Sequence, residues 1–229
     1  VNNFNELKSA IEKTKNLAKK AFGNSDIFLE KFIWNSRHIE IQVFGYGEKS
    51  AVHFYERDCS IQRRFQKIIE ESPAPKVEQS IIKKMAEMSV NFASDQKYEG
   101  AGTIEFIYDI DQKKFYFLEM NTRIQVEHPV TEEITGVDLV ELQIKYALNL
   151  DSTSILQSDI SKNGNSLECR LYAEDPKKNF LPSPGKITKL RFPEVTKDIR
   201  LDIGVDEGDE ISFYYDPMIA KIISKGTSR

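Results

Sequence analysis

Several features are scarce in this chain of 229 residues, and each scarcity excludes something. Two cysteines, Cys59 and Cys169, cannot staple a scaffold of this size, and without C-x-x-C spacing they read as reduced thiols buried as small hydrophobes. With three histidines and no H-E-x-x-H pattern, a zinc site is not expected. No apolar run approaches the roughly 18 residues of a membrane span, and the polar start, Val1 to Ala10, is not a secretory signal. Positive charge is in deficit, 32 Lys and Arg against 36 Asp and Glu, so the net charge of −4 lacks the broad positive field of non-specific nucleic-acid binding. Repeats and low-complexity tracts are absent. The remainder, 40% hydrophobic and 30% charged, describes a globular chain long enough for one large domain or a domain and a half, in the cytoplasm or an organelle such as the mitochondrion. Opening at Val1 and stopping at Arg229 after a strand-like run, it reads as a piece of something longer.

What is present is patterned. Phe4, Leu7, Ile11, Leu17, Ala18 and Ala21 recur at three- and four-residue steps up to Gly23, which predicts an amphipathic helix with a solvated lysine-rich face. Residues 27–33 read as a strand. Ile39, Ile41 and Val43 alternate with Glu40, Gln42 and Phe44, and Gly45-Tyr46-Gly47 turns the chain toward residues 51–55, a hairpin. In the charged stretch 56–67, Arg57, Arg63 and Arg64 read as a solvated basic run, the last two pairing with acids such as Glu70 or Glu71. Ser72-Pro73-Ala74-Pro75 excludes helix, after which Ile81, Ile82, Met85, Met88 and Phe92 mark a second one. Strands follow at 103–108 and 115–120, and a third helix fits 136–148. Residues 151–165, polar and serine-rich, are the best place for a domain junction. Beyond it, 167–172, 187–192, 199–203, 213–215 and 218–224 read as strands. His53 reads as an ordinary strand histidine, His128 as a turn former before Pro129, and Trp34, Tyr214 and Tyr215 as packing residues.

The sharpest chemical signal lies in the hairpin of strands 103–108 and 115–120. Pairing Asp109 with Phe115 sets a register in which Glu105 falls directly opposite Glu119. Opposed Cβ atoms sit about 4.5–5.5 Å apart, and two like charges about 4 Å apart cost on the order of 4 kcal/mol at an effective dielectric of about 20. A hard divalent cation completed by substrate phosphates turns this repulsion into a site. In that register Glu119 shares its face with Phe115 and Phe117, and Glu105 with Ile107, which disfavours free solvation. If the chain stays extended past Met120, Asn121, Arg123, Gln125 and Glu127 line up with Glu119: an oxygen ligand, a cation for a small anion, an amide, and an acid able to act as a base.

These residues belong to a longer pattern. The run Glu119-Met120-Asn121-Thr122-Arg123-Ile124-Gln125-Val126-Glu127-His128-Pro129-Val130-Thr131-Glu132 resembles the active-site segment of biotin carboxylases, ATP-grasp enzymes that open biotin-dependent carboxylation. Arg37-His38-Ile39-Glu40-Ile41-Gln42, Glu56-Arg57-Asp58-Cys59-Ser60-Ile61-Gln62-Arg63-Arg64 and Phe180-Leu181-Pro182-Ser183-Pro184-Gly185 agree, so the resemblance covers essentially the whole chain. It implies an α+β fold: the larger ATP-grasp lobe, an antiparallel sheet with helices, over 1–150, a junction at 151–165, and a truncated β-rich biotin carboxylase C-terminal domain over 166–229. The implied activity joins ATP and bicarbonate into carboxyphosphate, whose CO₂ is taken by biotin on a carrier domain. By the same resemblance Glu105, Glu119 and Asn121 bind Mg²⁺ or Mn²⁺ on the ATP phosphates; Arg123, Gln125 and the Val126 backbone hold bicarbonate; and Glu127 deprotonates it. Lys67 lies near bicarbonate and the phosphates, and Arg170 stabilises the enolate-like biotin anion, its strand parity pointing it away from Leu167, Cys169 and Leu171. Adenine and ribose fall to Glu30, Lys31, Phe32, Ile33, His38 and Gln62. Phe65 stands where many members carry His, and Phe cannot donate a hydrogen bond.

The resemblance also implies partners: a biotin carrier domain or protein, a carboxyltransferase and a homodimer mate. The final carboxyl acceptor, whether acetyl-CoA, propionyl-CoA, methylcrotonyl-CoA, pyruvate or urea, stays open. Nothing between Val1 and Asn24 resembles the family's glycine-rich lid loop and its two nucleotide-binding lysines, so the chain alone is expected to turn over poorly or not at all. The alternatives are a non-catalytic scaffold fragment or another ATP-grasp ligase, of the carbamoyl-phosphate or purine-pathway kind. The Gln125-to-Pro129 and Phe180-to-Gly185 runs speak against the latter.

Overall fold

Helix α1 (Phe4–Phe22) forms where the apolar spacing places it. The Asn3 side chain accepts from the Glu6 backbone N–H at its start, and Gly23 ends it in the left-handed region at φ 74°. The structure, a computed structural model, describes all residues except 2, 49 and 151–153, and divides into two compact units, residues 1–34 and 35–229, each described by itself. In the first unit, residues 24–33 follow α1 without regular structure; the strand expected at 27–33 is absent because that segment joins no backbone ladder.

The second unit is built on strands β1 (Ser36–Tyr46), β2 (Ala51–Arg63) and β3 (Gln66–Ser72), helix α2 (Gln79–Asp95), strands β4 (Glu99–Asp109) and β5 (Lys114–Asn121), and helices α3 (His128–Thr135) and α4 (Leu139–Ala147). Then come β6 (Asn165–Tyr172), β7 (Glu174–Asp175), β8 (Leu181–Pro182), β9 (Gly185–Lys186), β10 (Ile199–Ile203), β11 (Glu210–Ile211) and β12 (Met218–Gly226). Eight strands form one antiparallel sheet in the order β10-β12-β6-β3-β2-β1-β4-β5, while β9–β11 and β7–β8 make small ladders.

Strand β1 is buried on both faces from Ile39 to Tyr46. Its odd positions Ile39, Ile41 and Val43 pack with Phe106 against Ile81, Ile82, Met85 and Ala86 of α2. On the other face Phe44 and Tyr46 pack with Phe54 against Leu139 and Leu142 of α4. Glu40 and Gln42 share that second face and are buried beside it. The site therefore grows from a polar row inside the molecule, where a plain alternation suggests solvent. Gly45 permits the crossing of β1 past Tyr98: a Cβ there would lie 1.9 Å from the Tyr98 carbonyl oxygen. Gly45→Ala is expected to destabilise the fold by about 1–3 kcal/mol, read as a lower urea midpoint at unchanged slope.

Several expectations are corrected here. Residues 187–192 and 213–215 form no strands; only Gly185–Lys186 and Glu210–Ile211 pair. Tyr214, Tyr215 and Trp34 are each more than three-quarters exposed, so they do not serve packing of the described core. Strand β3 and helix α3 were not anticipated: β3 is mostly charged, and Pro129 opens α3 in its first turn, where its missing N–H costs nothing. Of the expected junction, residues 151–153 lie outside the described residues, and the rest carries one 3₁₀ turn, Gln157–Asp159.

Candidate active site

Register alone assembles a row across four strands: Arg57 on β2 pairs with Glu40 on β1, Glu40 with Glu105 on β4, and Glu105 with Glu119 on β5. The predicted Glu105–Glu119 pair is present, by a different route. Asp109 pairs with Lys114 and not with Phe115, and a bulge at Leu118 absorbs the one-residue difference before Glu119. The bulge also reverses parity, so Phe115 and Phe117 do not share the face of Glu119; they pack on the rings of Phe106 and Phe92. Glu105 is 3% exposed, whereas Glu119 is exposed.

Three neighbouring acids need cations, and the chain supplies them from both sides. Arg57, fully buried, is no part of a solvated run: its Nε donates to Glu40 Oε1 (2.5 Å), Nη1 to Gln42 and Thr131, and Nη2 to Thr103 and Gln125. Lys67 Nζ reaches Glu40 Oε2 (2.6 Å), Glu105 Oε1 (2.9 Å) and Glu127 Oε1 (2.6 Å), and His38 Nε2 lies 2.6 Å from Glu105 Oε2. Burial pushes Glu40 and Glu105 up, but Arg57 and Lys67 hold Glu40, and His38 and Lys67 hold Glu105, at about 2. Burial opposes the Lys67 charge, yet Glu40 foremost keeps it raised above its ordinary value.

Beyond Asn121 the strand ends, so the extended row expected through residue 127 does not form. The loop 122–127 instead folds back, Glu127 ending it as the N-cap residue of α3. His128 starts that helix, its Nδ1 2.7 Å from the Gln125 carbonyl. Gln125, buried, donates to Glu105 and accepts from Arg57. Asn121 Nδ2 lies between Glu105 Oε1 (2.9 Å) and Glu119 Oε1 (3.1 Å). Exposed Arg123 donates to the Ile124 carbonyl and to Asn121 Oδ1. The Val126 carbonyl accepts from Lys221 Nζ (3.0 Å), and Gln62 Nε2 contacts His38 Nδ1 and the Cys59 carbonyl.

Arg170 keeps the expected sense of β6, on the face opposite Leu167, Cys169 and Leu171. The alternate positions Ser166 and Glu168 are buried, Leu171 is 38% exposed, and Arg170 turns inward, its Nη2 2.9 Å from Glu127 Oε2 and 2.7 Å from Glu70 Oε1. Glu70 is thus taken by Arg170, while Arg63 pairs with Glu174 and Arg64 donates to the Asn179 carbonyl. Phe65 sits at the tip of the β2–β3 hairpin, 98% exposed. A cavity of about 450 Å³ brings together His38, Gln62, Lys67, Glu105, Glu119, Asn121, Arg123, Gln125, Val126, Glu127 and Arg170, with Phe65 and Leu118 on its wall. Glu30, Lys31, Phe32 and Ile33 belong to the first unit, in irregular backbone. A larger cavity of about 510 Å³ between α2 and β2 is mainly apolar and gathers none of these groups.

Residues 1–154 match the family model described as carbamoyl-phosphate synthase L chain, ATP binding domain, and residues 168–229 match biotin carboxylase C-terminal domain. The chain belongs to the biotin carboxylase family. Biotin carboxylase 2 of Bacillus subtilis is 49% identical over 230 residues, covering 100% of this chain and 51% of its own length. The biotin carboxylase domain dimer of Hydrogenobacter thermophilus 2-oxoglutarate carboxylase, solved with MgADP, ADP and bicarbonate, superposes with TM-score 0.90 at 46% identity, covering 98% of this chain and 49% of that one. The Campylobacter jejuni biotin carboxylase complexed with β,γ-ATP gives TM-score 0.90 at 43% identity, covering 99% and 50%. The chain spans about half the length of these biotin carboxylases and 31% of the mouse methylcrotonoyl-CoA carboxylase α subunit.

The donor chemistry suits a hard cation. Glu105 and Glu119 bring carboxylate oxygens of adjacent strands to one wall of the cavity, with the Asn121 amide nitrogen donating to both and its Oδ1 accepting from Arg123. Reading the sequence gave Glu40 and Glu168 no role, and placed Arg57 in a solvated run and Glu70 in an ion pair with Arg63 or Arg64.

Proposed function

We propose that this chain forms the bicarbonate-handling and metal-holding part of an enzyme that carboxylates biotin with ATP and bicarbonate. The observation that carries the reading is Glu127, a buried carboxylate clamped between Lys67 and Arg170 on the wall of a cavity that Glu105, Glu119 and Asn121 also line. Arg123, Gln125 and the Val126 backbone are assigned to bicarbonate. Glu127 takes its proton onto a carboxylate oxygen, and the resulting carbonate oxygen attacks the terminal phosphorus of ATP as ADP leaves, giving carboxyphosphate. Lys67 holds Glu127 against Glu40 and Glu105 and lends positive charge where negative charge gathers. Mg²⁺ or Mn²⁺ on Glu105, Glu119 and Asn121 supplies charge neutralisation of the phosphates when bound. Arg170 is assigned to the biotin ring, and His38 and Gln62, with Glu30, Lys31, Phe32 and Ile33, to the nucleoside.

The same reading divides the chain into ATP-grasp lobe (1–150), junction (151–165) and the beginning of the C-terminal domain (166–229). It gives the complete protein a biotin carrier, a carboxyltransferase and a homodimer mate, in the cytoplasm or mitochondrion. Among the described residues no helix is long and apolar enough to cross a membrane. The test is ADP release by the complete protein with Mg-ATP, expected to require bicarbonate and to rise with free biotin. Cleavage of ATP that responds to bicarbonate but ignores biotin overturns it in favour of another ATP-grasp ligase.

A further inference from the structure

Behind Glu127 lie two acids that the proposed reaction leaves unused. The pairing of β3 with β6 sets Glu70 directly opposite Glu168, and both are 0% exposed. Arg170 shares their face, two residues along β6 from Glu168, and its Nη2 bridges Glu70 Oε1 and Glu127 Oε2. Among the described residues neither oxygen of Glu70 nor of Glu168 has an aligned hydrogen-bond partner, and Arg170 meets Glu70 Oε1 as an ion pair. The charged groups facing the pair are Arg170 on β6, Lys221 on β12, Glu127 at the head of α3 and, toward Glu70, Glu40 on β1. Lys221 is engaged elsewhere, with the Val126 carbonyl and with Asp202 at 3.0 Å. One guanidinium, already shared with Glu127, cannot neutralise two opposed buried carboxylates. Burial pushes Glu70 up, with Arg170 pulling it back, to about 7; burial and then the charge of Glu70 push Glu168 up to about 8.

We propose that Glu70 is a positioning residue for Arg170 and that Glu168, opposite it, carries the one proton the two acids share. The ionised Glu70 keeps the guanidinium at the back of the cavity with one nitrogen on Glu127. The neutral Glu168 allows Glu70 to stay ionised. Once Glu168 also loses its proton, the doubly negative pair draws Arg170 away from Glu127. The part of this that concerns turnover rests on the assignment of Arg170 to biotin made above; the shared proton does not.

The experiment uses the complete protein carrying this chain, with Glu70→Gln and Glu168→Gln. The second variant keeps the side chain's shape and removes a buried acid, so folding is not at stake. In infrared spectra the band of a protonated carboxyl is expected to be lost with a midpoint of about 8 in the parent, at lower pH in Glu70→Gln, where the opposing charge is gone, and to lack this step in Glu168→Gln. The biotin-dependent rate is expected to fall above about pH 8 in the parent and to stay level in Glu168→Gln. Glu70→Gln should lower kcat for biotin carboxylation about tenfold while bicarbonate-dependent ATP cleavage without biotin and KM for ATP hold within about twofold. A band unmoved by both substitutions overturns the shared proton, and so does an alkaline fall that survives Glu168→Gln. Equal loss of both activities in Glu70→Gln overturns the positioning role. If Arg170→Gln carboxylates biotin at the parental rate, the assignment of Arg170 fails instead, and the infrared titration alone decides the proton.

Discussion

Arg57→Met is expected to cost the fold about 3–5 kcal/mol, the range for removing one partner from a buried ionic network. All five guanidinium N–H groups have acceptors: the Glu40 carboxylate, the Gln42 and Gln125 amide oxygens, and the Thr131 and Thr103 hydroxyls. These lie on β1, β4, α3 and the loop before it, so one side chain ties the loop that carries Glu127 to the sheet beneath it. Methionine fills part of the volume and leaves every acceptor buried without its donor. Lysine is expected to do little better, since a point charge with three donors cannot reproduce a planar fork of five. The substitution also changes the acid limb of stability. Glu40 is held at about 2 against an ordinary 4.5, so its contribution is full above about 4.5 and is lost as pH falls toward 2. Without Arg57, the cationic partners left beside it among the described residues are Lys67 and His38, so acid unfolding should begin at higher pH. Urea melts at neutral pH and across the acid range measure both effects; a loss below about 1 kcal/mol would mean the loop is held by other contacts.

Much of this site was legible because side-chain parity and pair spacing are local rules. The Glu105–Glu119 pair needed only two strands and a turn, and survived an error of one residue because the bulge at Leu118 compensated for it. The same error misplaced Phe115 and Phe117, since a strand read without its bulge puts every residue beyond it on the wrong face. Arg57 was misjudged for another reason. Alternation shows that polar residues share a face, not whether that face meets water, and here α3 and its loop cover the polar face of β1, β2 and β6. Glu70 and Glu168 come together only through a β3–β6 pairing that joins residues almost a hundred positions apart, which no local pattern reports. The strand expected at 187–192 stands between Gly and Pro signals, yet only its neighbour Gly185–Lys186 pairs, because a ladder partner cannot be read from one segment.

Glu127→Gln should reduce bicarbonate-dependent ATP cleavage in the complete protein by about 10²–10⁴-fold, the usual weight of a positioned acid–base group. Glutamine keeps the shape of the side chain. One terminal oxygen can still accept from Lys67 or Arg170, now 2.6 and 2.9 Å from the two carboxylate oxygens, but the amide nitrogen then faces the other cation and cannot take up a proton. Nucleotide affinity measured by calorimetry with Mg-ATP should change little, because the proposed metal donors Glu105, Glu119 and Asn121 stand on β4 and β5, and Lys67 joins Glu105 to Glu127. Lys67 retains Glu40 and Glu105, so stability should fall by about 1–3 kcal/mol at most, the cost of one charge-assisted bond. Glu127→Asp separates charge from reach: it restores an anion between the two cations while drawing the proton acceptor back by one methylene. Recovery of stability without recovery of rate places the requirement in the position of that oxygen. Should Glu127→Gln keep more than about a tenth of the parental rate, the base is another group. Glu40 and Glu105 are poor substitutes, because the cations that hold them at about 2 make them weak proton acceptors at neutral pH.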